Sequence, residues 1–395
     1  MTPTRRVVVL GGAEGQLACI AACRRIGADV VLVDPRADVP GIPLADMWIA
    51  LDVMQTDDIA RAVASMNINA VLSDQSDYAA RAAAALAVAL GLAGQNPAVV
   101  EACTNKLVMR QLLADAAPDL VPWFRHETDA DLAYAFIGEQ SGPVVVKPLQ
   151  SQGSRGVSFI NSAADLPLLA EAFEESSGSG VLIEQAVSGT EYSVDGFVQS
   201  GVLMPLAISA KTHYLLNPCL DERCDFLPST FANVEQELLG AMLRVVAALG
   251  IDTGIVHAEL IAGESGVTLV EIALRGGGGG ISGIIVPFLT GFEPAEALLR
   301  HWLGMPALAA PRDFHDRCAS LRFLPFTPPS AITQVAPEVE GWLSLTRAEH
   351  ITKPGAVPRS SADRAGAIIV VGATEQATRL AEAEAMRCLG YPEGT

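Results

Sequence analysis

Residues 257–275 read His-Ala-Glu-Leu-Ile-Ala-Gly-Glu-Ser-Gly-Val-Thr-Leu-Val-Glu-Ile-Ala-Leu-Arg and run straight into a block of glycines. Two apolar runs joined by Gly263-Glu264-Ser265-Gly266 predict antiparallel strands with a tight turn. Side chains alternate along a strand, so Glu259 shares a face with His257, and Glu271 with Ala273 and Arg275. Folding the hairpin about Ser265 sets Glu259 opposite Glu271 and His257 opposite Ala273, inside a core-forming pattern. Two facing carboxylates repel and are costly to bury unless something neutralises them. A divalent, oxygen-seeking cation is the simplest neutraliser, with Arg275 beside it as a second positive charge.

With 395 residues, half of them hydrophobic and 18% charged, the chain suits two or three compact domains rather than disorder. A net charge of -19 argues against nucleic acid as a partner. It leaves open a small nucleotide held in a local basic pocket. The seven cysteines are scattered without a C-x-x-C pair, which predicts free thiols in a reducing compartment. Cys219, Cys224 and His213 raise zinc, but no second ligand pair accompanies them. The segment before Val7 is too short for a signal n-region, and Arg81 interrupts the alanine-rich run from Ala79 to Ala93. No membrane partner and a cytoplasmic location are expected.

Val7–Leu10, a glycine turn, a helix from Leu17 to Ile26 and a strand from Val30 to Val33 form a βαβ unit. A strand at Ala70–Leu72 and a helix at Tyr78–Leu90 extend it into a doubly wound parallel sheet. Asn96-Pro97 opens one helical segment through Leu113. Strands are expected at Val144–Pro148, Val157–Ile160, Val181–Gln185, Tyr192–Val198 and Leu203–Ser209. An irregular segment then runs from Lys211 to Pro228, a helix from Glu235 to Leu249 leads into the carboxylate hairpin, and a small α+β unit follows Pro311. The predicted division is 1–96, 97–188, 189–310 and 311–395.

Two glycine clusters invite phosphate. Gly11-Gly12-x-x-Gly15 with Asp34 could hold a dinucleotide or be a plain scaffold turn. Ser151, Gly153, Ser154 and Gly156, just after Lys147, offer backbone N–H groups, hydroxyls and an ammonium to phosphate oxygens.

The ordered set Asn105-Lys106, Val145-Val146-Lys147-Pro148, Gly153-Ser154-Arg155-Gly156, Glu184-Gln185-Ala186-Val187, Gly189-Thr190-Glu191-Tyr192, His257-Ala258-Glu259 and Glu271-Ile272-Ala273-Leu274-Arg275 resembles the ATP-grasp superfamily. Arg275-Gly-Gly with Ile281-Ser282 and Val286-Pro287 is similar to its carboxylate–amine ligase branch, which includes L-amino acid ligases. The resemblance implies an α+β ATP-grasp fold: an N-terminal parallel sheet, central lobes with antiparallel sheets and a small C-terminal unit. It implies ATP and Mg2+ as cofactors, with Mn2+ able to substitute, small carboxylate and amine substrates, and a homodimer as an allowed assembly. By residue, Lys106 and Lys147 would contact phosphates, with Lys147 also near the base. Ser154, Arg155 and Gly156 would lie in the loop over them. Glu184 would accept from the adenine amino group, the Val187 backbone would donate to the ring edge, and Glu191 would hold the ribose. Lys211 would reach the γ-phosphate or acyl phosphate, Glu259 and Glu271 would ligate magnesium, and Arg275 would steady the acyl phosphate.

One position departs from the superfamily. The asparagine that often follows the second glutamate by two residues is Ala273 here, and His257 is a candidate for the space. The alternatives are a carboxylase or purine-biosynthesis-type enzyme, a nicotinamide-dependent oxidoreductase using the first glycine cluster, and a non-catalytic nucleotide-binding regulator. Substrate specificity is expected from His213, Tyr214, Asn217, Arg223 and Phe226, from the glycines after Arg275, and from the N-terminal domain.

Overall fold

Val7 to Leu10 and Val30 to Val33 are buried without alternation, which requires strands covered on both faces. The computed structural model describes residues 5–215, 217–324, 342–347, 359–364, 366–389 and 391. The first unit runs β1 (Arg6–Leu10), α1 (Leu17–Arg25), β2 (Asp29–Val33), β3 (Met47–Ile49), α2 (Thr56–Val63), β4 (Ala70–Leu72) and α3 (Asp77–Ala89). Its strands pair in parallel in the order β3-β2-β1-β4. Alternate residues serve opposite cores. Val7 and Val9 pack with Cys19 and Ile20 of α1, while Val8 and Leu10 pack with Ile59, Val63 and Leu86 of α2 and α3. At the first glycine cluster, the Asp34 carboxylate accepts from the Gly12 backbone N–H at 2.9 Å and from Arg36 at 2.9 and 3.2 Å. The acid a dinucleotide ribose would need is spent on the turn itself.

The helical segment after Asn96 is two helices, α4 (Pro97–Thr104) and α5 (Lys106–Ala116). Asn105 between them is extended, and its side chain accepts from the N–H groups of Leu107 and Val108. That is an N-cap inside what the apolar pattern reads as continuous helix. Next come β5 (Phe124–Glu127), α6 (Ala130–Gly138), β6 (Val144–Pro148), β7 (Ser158–Ile160), α7 (Leu168–Glu175) and β8 (Val181–Gln185). The four strands form an antiparallel sheet in the order β5-β8-β6-β7, with Ala133, Ile137, Leu169 and Ala172 of the helices in its core.

The largest sheet draws on the rest of the chain: β9 (Thr190–Gln199), β10 (Val202–Tyr214), β11 (Asn217–Phe226), α8 (Pro228–Phe231), α9 (Glu235–Ala248), β12 (Gly254–Gly263), β13 (Gly266–Ala273), α10 (Val286–Thr290), α11 (Pro294–Trp302), β14 (Cys318–Phe323), β15 (Trp342–Arg347), β16 (Gly366–Gly372) and α12 (Glu375–Cys388). Its order is β13-β12-β9-β10-β11-β14-β16-β15, so the C-terminal strands continue the central sheet. The segment expected to be irregular after Lys211 is instead the β10–β11 hairpin. Pro218, the charged run Asp221-Glu222-Arg223 and register shifts around His213 hide its period of two. The seven cysteines are free. Among the described residues, no single helix is long and apolar enough to cross a membrane.

Candidate functional site

One cavity of about 1440 Å³ opens between the three sheets. Its wall includes Lys106, Lys147, Ser154, Arg155, Glu184, Val187, Glu191, Lys211, Glu259, Glu271 and Arg275. Of the nucleotide-, metal- and acyl-phosphate-contacting residues that the resemblance implies, Gly156 alone does not line it. Its φ is +66°, and a Cβ there would lie 2.8 Å from Pro148 Cγ and 2.9 Å from Glu175 Cβ, so this glycine shapes the loop's base.

Glu259 pairs directly with Glu271 and His257 with Ala273, as the alternation requires. The turn is one residue tighter than folding about Ser265 implies, closing Gly263 on Gly266. A bulge at Val270 restores the register before Glu271. Each carboxylate side chain is about a quarter exposed toward the cavity, at 28% and 26%. Lys211 Nζ sits 2.6 Å from Glu259 Oε1, and Lys106 Nζ 3.0 Å from Glu271 Oε1. Burial pushes the Glu259 carboxyl up, but Lys211 and His257 outweigh it and hold it well below the usual carboxylate range. Two facing carboxylates are the oxygen donors that Mg2+ takes, and the pair fits that ion.

Glu184 is fully enclosed. Arg110 reaches it through Nε at 2.5 Å and Nη2 at 3.3 Å, and Lys147 Nζ lies 2.6 Å away. Burial acts to raise its carboxyl, yet these two cations bring it down to about 2. Both oxygens therefore already accept within the protein. Arg110 also donates to the carbonyl of the bulged Val270 at 2.9 Å, tying α5 to the carboxylate hairpin. The sequence reading passed over Arg110, although it lies one helical turn after Lys106 on the same face. Two buried polar atoms on the cavity wall, Arg110 Nη1 and Ser151 Oγ, have no hydrogen-bond partner. A buried donor left unmade is expensive, and these two suit an anionic ligand such as a phosphate group.

Lys211 is the centre of a second cluster. Its Nζ lies 2.6 Å from Glu259, 2.8 Å from Glu191 and 3.3 Å from Asp221, with 2% of the side chain exposed. His213 Nε2 contacts Glu191 at 3.1 Å and Asp221 at 3.4 Å. Burial opposes the imidazolium, but the two carboxylates carry it to about 10. Among the described residues, Glu191, His213 and Asp221 are the one group of three potential metal ligands. The Lys211 ammonium already sits among them, so the cluster is an ion-pair network. Cys219 and Cys224 do not join it. His257, also lifted to about 9 against its burial, is fixed through Nδ1 to Asp195 at 2.9 Å.

Arg275 Nε donates to Asp77 Oδ1 at 2.7 Å. Asp74, wholly buried, accepts from the Gly276 N–H at 2.7 Å and Ser282 Oγ at 2.8 Å. Both acids flank the start of α3, some 200 residues upstream, and no local pattern announces them. Of the expected specificity residues in the β10–β11 hairpin, only His213 lines the cavity. Phe226 is in the core, Arg223 turns to Asp225 and Glu382, and the Tyr214 hydroxyl donates to the Leu324 carbonyl.

Sheets, glycine loop and carboxylate hairpin together form an α/β architecture around one cavity. Residues 140–283 match the ATP-grasp domain family. It is 29% identical over 205 residues to an L-arginine-specific L-amino acid ligase of Bacillus subtilis, covering 49% of this chain and 48% of that protein. The chain spans less than half the length of the first curated relatives it matches. The L-amino acid ligase structure from Bacillus licheniformis superposes with a TM-score of 0.79 at 18% identity, over 97% of this chain and 98% of that one. A 2-oxoglutarate carboxylase biotin carboxylase domain from Hydrogenobacter thermophilus, solved with MgADP and bicarbonate, superposes at 0.74 and 16% identity, over 97% and 89%.

Proposed function

We propose that this chain is an ATP-dependent ligase that joins a carboxylate to an amine, with an amino acid as one substrate, releasing ADP and phosphate. One observation carries the reading. In a chain of net charge -19, a single cavity brings Lys106, Arg110, Lys147, Lys211 and Arg275 onto one wall with the facing pair Glu259 and Glu271. Most of these cations are shared with other acids of the site, and Arg110 Nη1 and Ser151 Oγ stay unpartnered beside two metal-type acids, a set that suits a polyphosphate carried with a divalent ion. The relatives named as amino acid ligases support the same chemistry.

A carboxylate is a poor electrophile at neutral pH. In the proposed reaction its oxygen takes the γ-phosphoryl group, the bond to the β-bridging oxygen breaks, and ADP leaves. The amine then attacks the carbonyl carbon, the C–N bond forms and phosphate departs with the former carboxylate oxygen. Mg2+, held by Glu259 and Glu271, would supply charge neutralisation at the phosphate oxygens. Lys147 and Lys106 hold the phosphates, Lys211 and Arg275 offset charge near the acid, and the 151–157 loop shields the site from water. The orphaned Arg110 Nη1 and Ser151 Oγ supply two further donors.

The test is phosphate release from ATP and Mg2+ with pairs of amino acids and other small acids, products read by mass spectrometry. The expected result is ADP formation that requires both an acid and an amine. Glu271→Gln should lower it by about 10²–10³-fold, the scale of one lost transition-state contact, with an unchanged circular dichroism spectrum. Unaltered turnover in that variant would remove the metal assignment.

A further inference from the structure

Resting on the ligase reading, we propose that the amine substrate carries a free carboxylate and that Arg364 receives it. The charge balance of the cavity leaves this arginine over. Lys106 pairs with Glu271, Arg110 and Lys147 with Glu184, Lys211 with Glu259, and Arg275 with Asp77. Among the described residues, Arg155 and Arg364 are the arginines of the wall that no carboxylate pairs with. Arg155 lies in the loop over the phosphates, where a nucleotide accounts for it. Arg364 sits elsewhere, beside Lys211. Its Nη2 donates to the Asp221 carbonyl at 2.8 Å, while the Asp221 carboxylate is turned to Lys211 and His213 at 3.3 and 3.4 Å. One residue thus separates this guanidinium from the ammonium assigned to the acyl phosphate.

The side chain is partly exposed and preorganised for an oxyanion. Its guanidinium carbon lies 3.5 Å from the Phe323 ring centroid, which fixes its plane and leaves the N–H groups at its edge for hydrogen bonds. Among the described residues only Nη2 has a hydrogen-bond partner; Nε is buried and Nη1 is open. The turn that carries Arg364 is fixed as well. The Asp363 carboxylate accepts from the N–H groups of Arg359 and Ser360 at 2.8 and 2.9 Å, so it is spent on the turn. The Ser361 N–H ties the turn to the Gly153 carbonyl of the glycine loop at 3.0 Å. In the proposed reaction the acid's own charge passes into the acyl phosphate beside Lys211 and Arg275. An amino acid that attacks through its amine keeps its carboxylate, two bonds from the attacking nitrogen. With that nitrogen at the acyl carbon, the carboxylate lies toward Arg364, whose planar fork matches it.

The experiment offers matched amines with ATP, Mg2+ and one common mixture of amino acids as acids. Glycine and leucine are compared with glycinamide, leucinamide and 2-aminoethyl phosphate, by ADP formation and product mass. Binding of the same amines in the presence of MgADP is measured calorimetrically. The amino acids should exceed their amides by at least about ten-fold in kcat/KM, the scale of one charge-assisted hydrogen bond. Arg364→Met should erase that difference by raising KM for the amino acid as amine, with KM for ATP near wild type. Arg364→Lys should restore part of it. If the wild type uses amides as well as amino acids, the inference is overturned and the ligase reading stands, a result that needs no variant to fold. A KM change in Arg364→Met confined to ATP, or a preference for 2-aminoethyl phosphate, would overturn it too. If no pair yields ADP, the ligase reading falls. Amino acids that then outbind their amides through Arg364 keep the carboxylate site, and equal binding removes it.

Discussion

Replacing Lys211 with methionine is the sharpest test of the charge arrangement. Methionine keeps the chain length and apolar stem while deleting an ammonium that lies within 3.3 Å of three carboxylates. Removing one partner of a buried ion pair costs about 3–5 kcal/mol, because a charge is left uncompensated. Here His213 still faces Glu191 and Asp221, and His257 remains 3.7 Å from Glu259, so the loss should stay within that range. At about 2–4 °C per kcal/mol for a domain of 150–250 residues, the melting temperature should fall by roughly 6–20 °C at pH 7. Two further results must follow. Lys211 is the leading group that holds the Glu259 carboxyl down. That depression contributes stability above the ordinary carboxylate range and loses it as pH falls through the lowered value. Without Lys211 the depression shrinks, so the acid-side loss that Glu259 contributes should be smaller in the variant and end at a higher pH. A divalent ion at Glu259 and Glu271 would also replace the missing charge, so millimolar MgCl2 should raise the variant's melting temperature more than the wild type's. Differential scanning fluorimetry across pH and Mg2+ reads all three. A variant that melts within 2 °C of wild type, indifferent to magnesium, would refute the reasoning.

His213→Gln should flatten the alkaline limb of stability. The folded histidine is raised from its ordinary 6.5 to about 10, so its contribution is complete below about 6.5 and disappears as pH rises through about 10; melting curves between pH 6 and 10.5 check it. Glu184→Gln leaves Arg110 and Lys147 facing a neutral amide. It should cost about 3–5 kcal/mol in chemical denaturation and remove the acid-side loss that the wild type shows between about 4.5 and about 2. Asp77→Asn frees the Arg275 guanidinium from its 2.7 Å anchor. If Asp77 positions Arg275, kcat should drop about 10–100-fold with KM for ATP unchanged; an equal loss in both would mark a merely structural role.

The carboxylate hairpin was legible because its evidence is local: a period of two, a turn of known chemistry and two acids equidistant from it. The register came out correctly even though the turn closes one residue earlier, since the bulge at Val270 makes up the difference. The bulge has its own use, turning the Val270 carbonyl to Arg110. The β10–β11 hairpin was illegible for the opposite reason. Lys211, His213 and Asp221 point into the cavity, where the pattern expects apolar residues, and the register shifts at His213 break the alternation. Asp74 and Asp77 could not be read at all, because their partners Gly276, Ser282 and Arg275 lie about 200 residues away. They change what the N-terminal unit is for. A domain that only carried the others would have no need to send two carboxylates, one wholly buried, to the segment that follows the second metal-type glutamate. Through Asp77 it sets the aim of Arg275, and through Asp74 the path of the glycines that follow. The N-terminal unit thus fixes the Arg275 end of the cavity, as Arg110 on α5 fixes the end around Glu184.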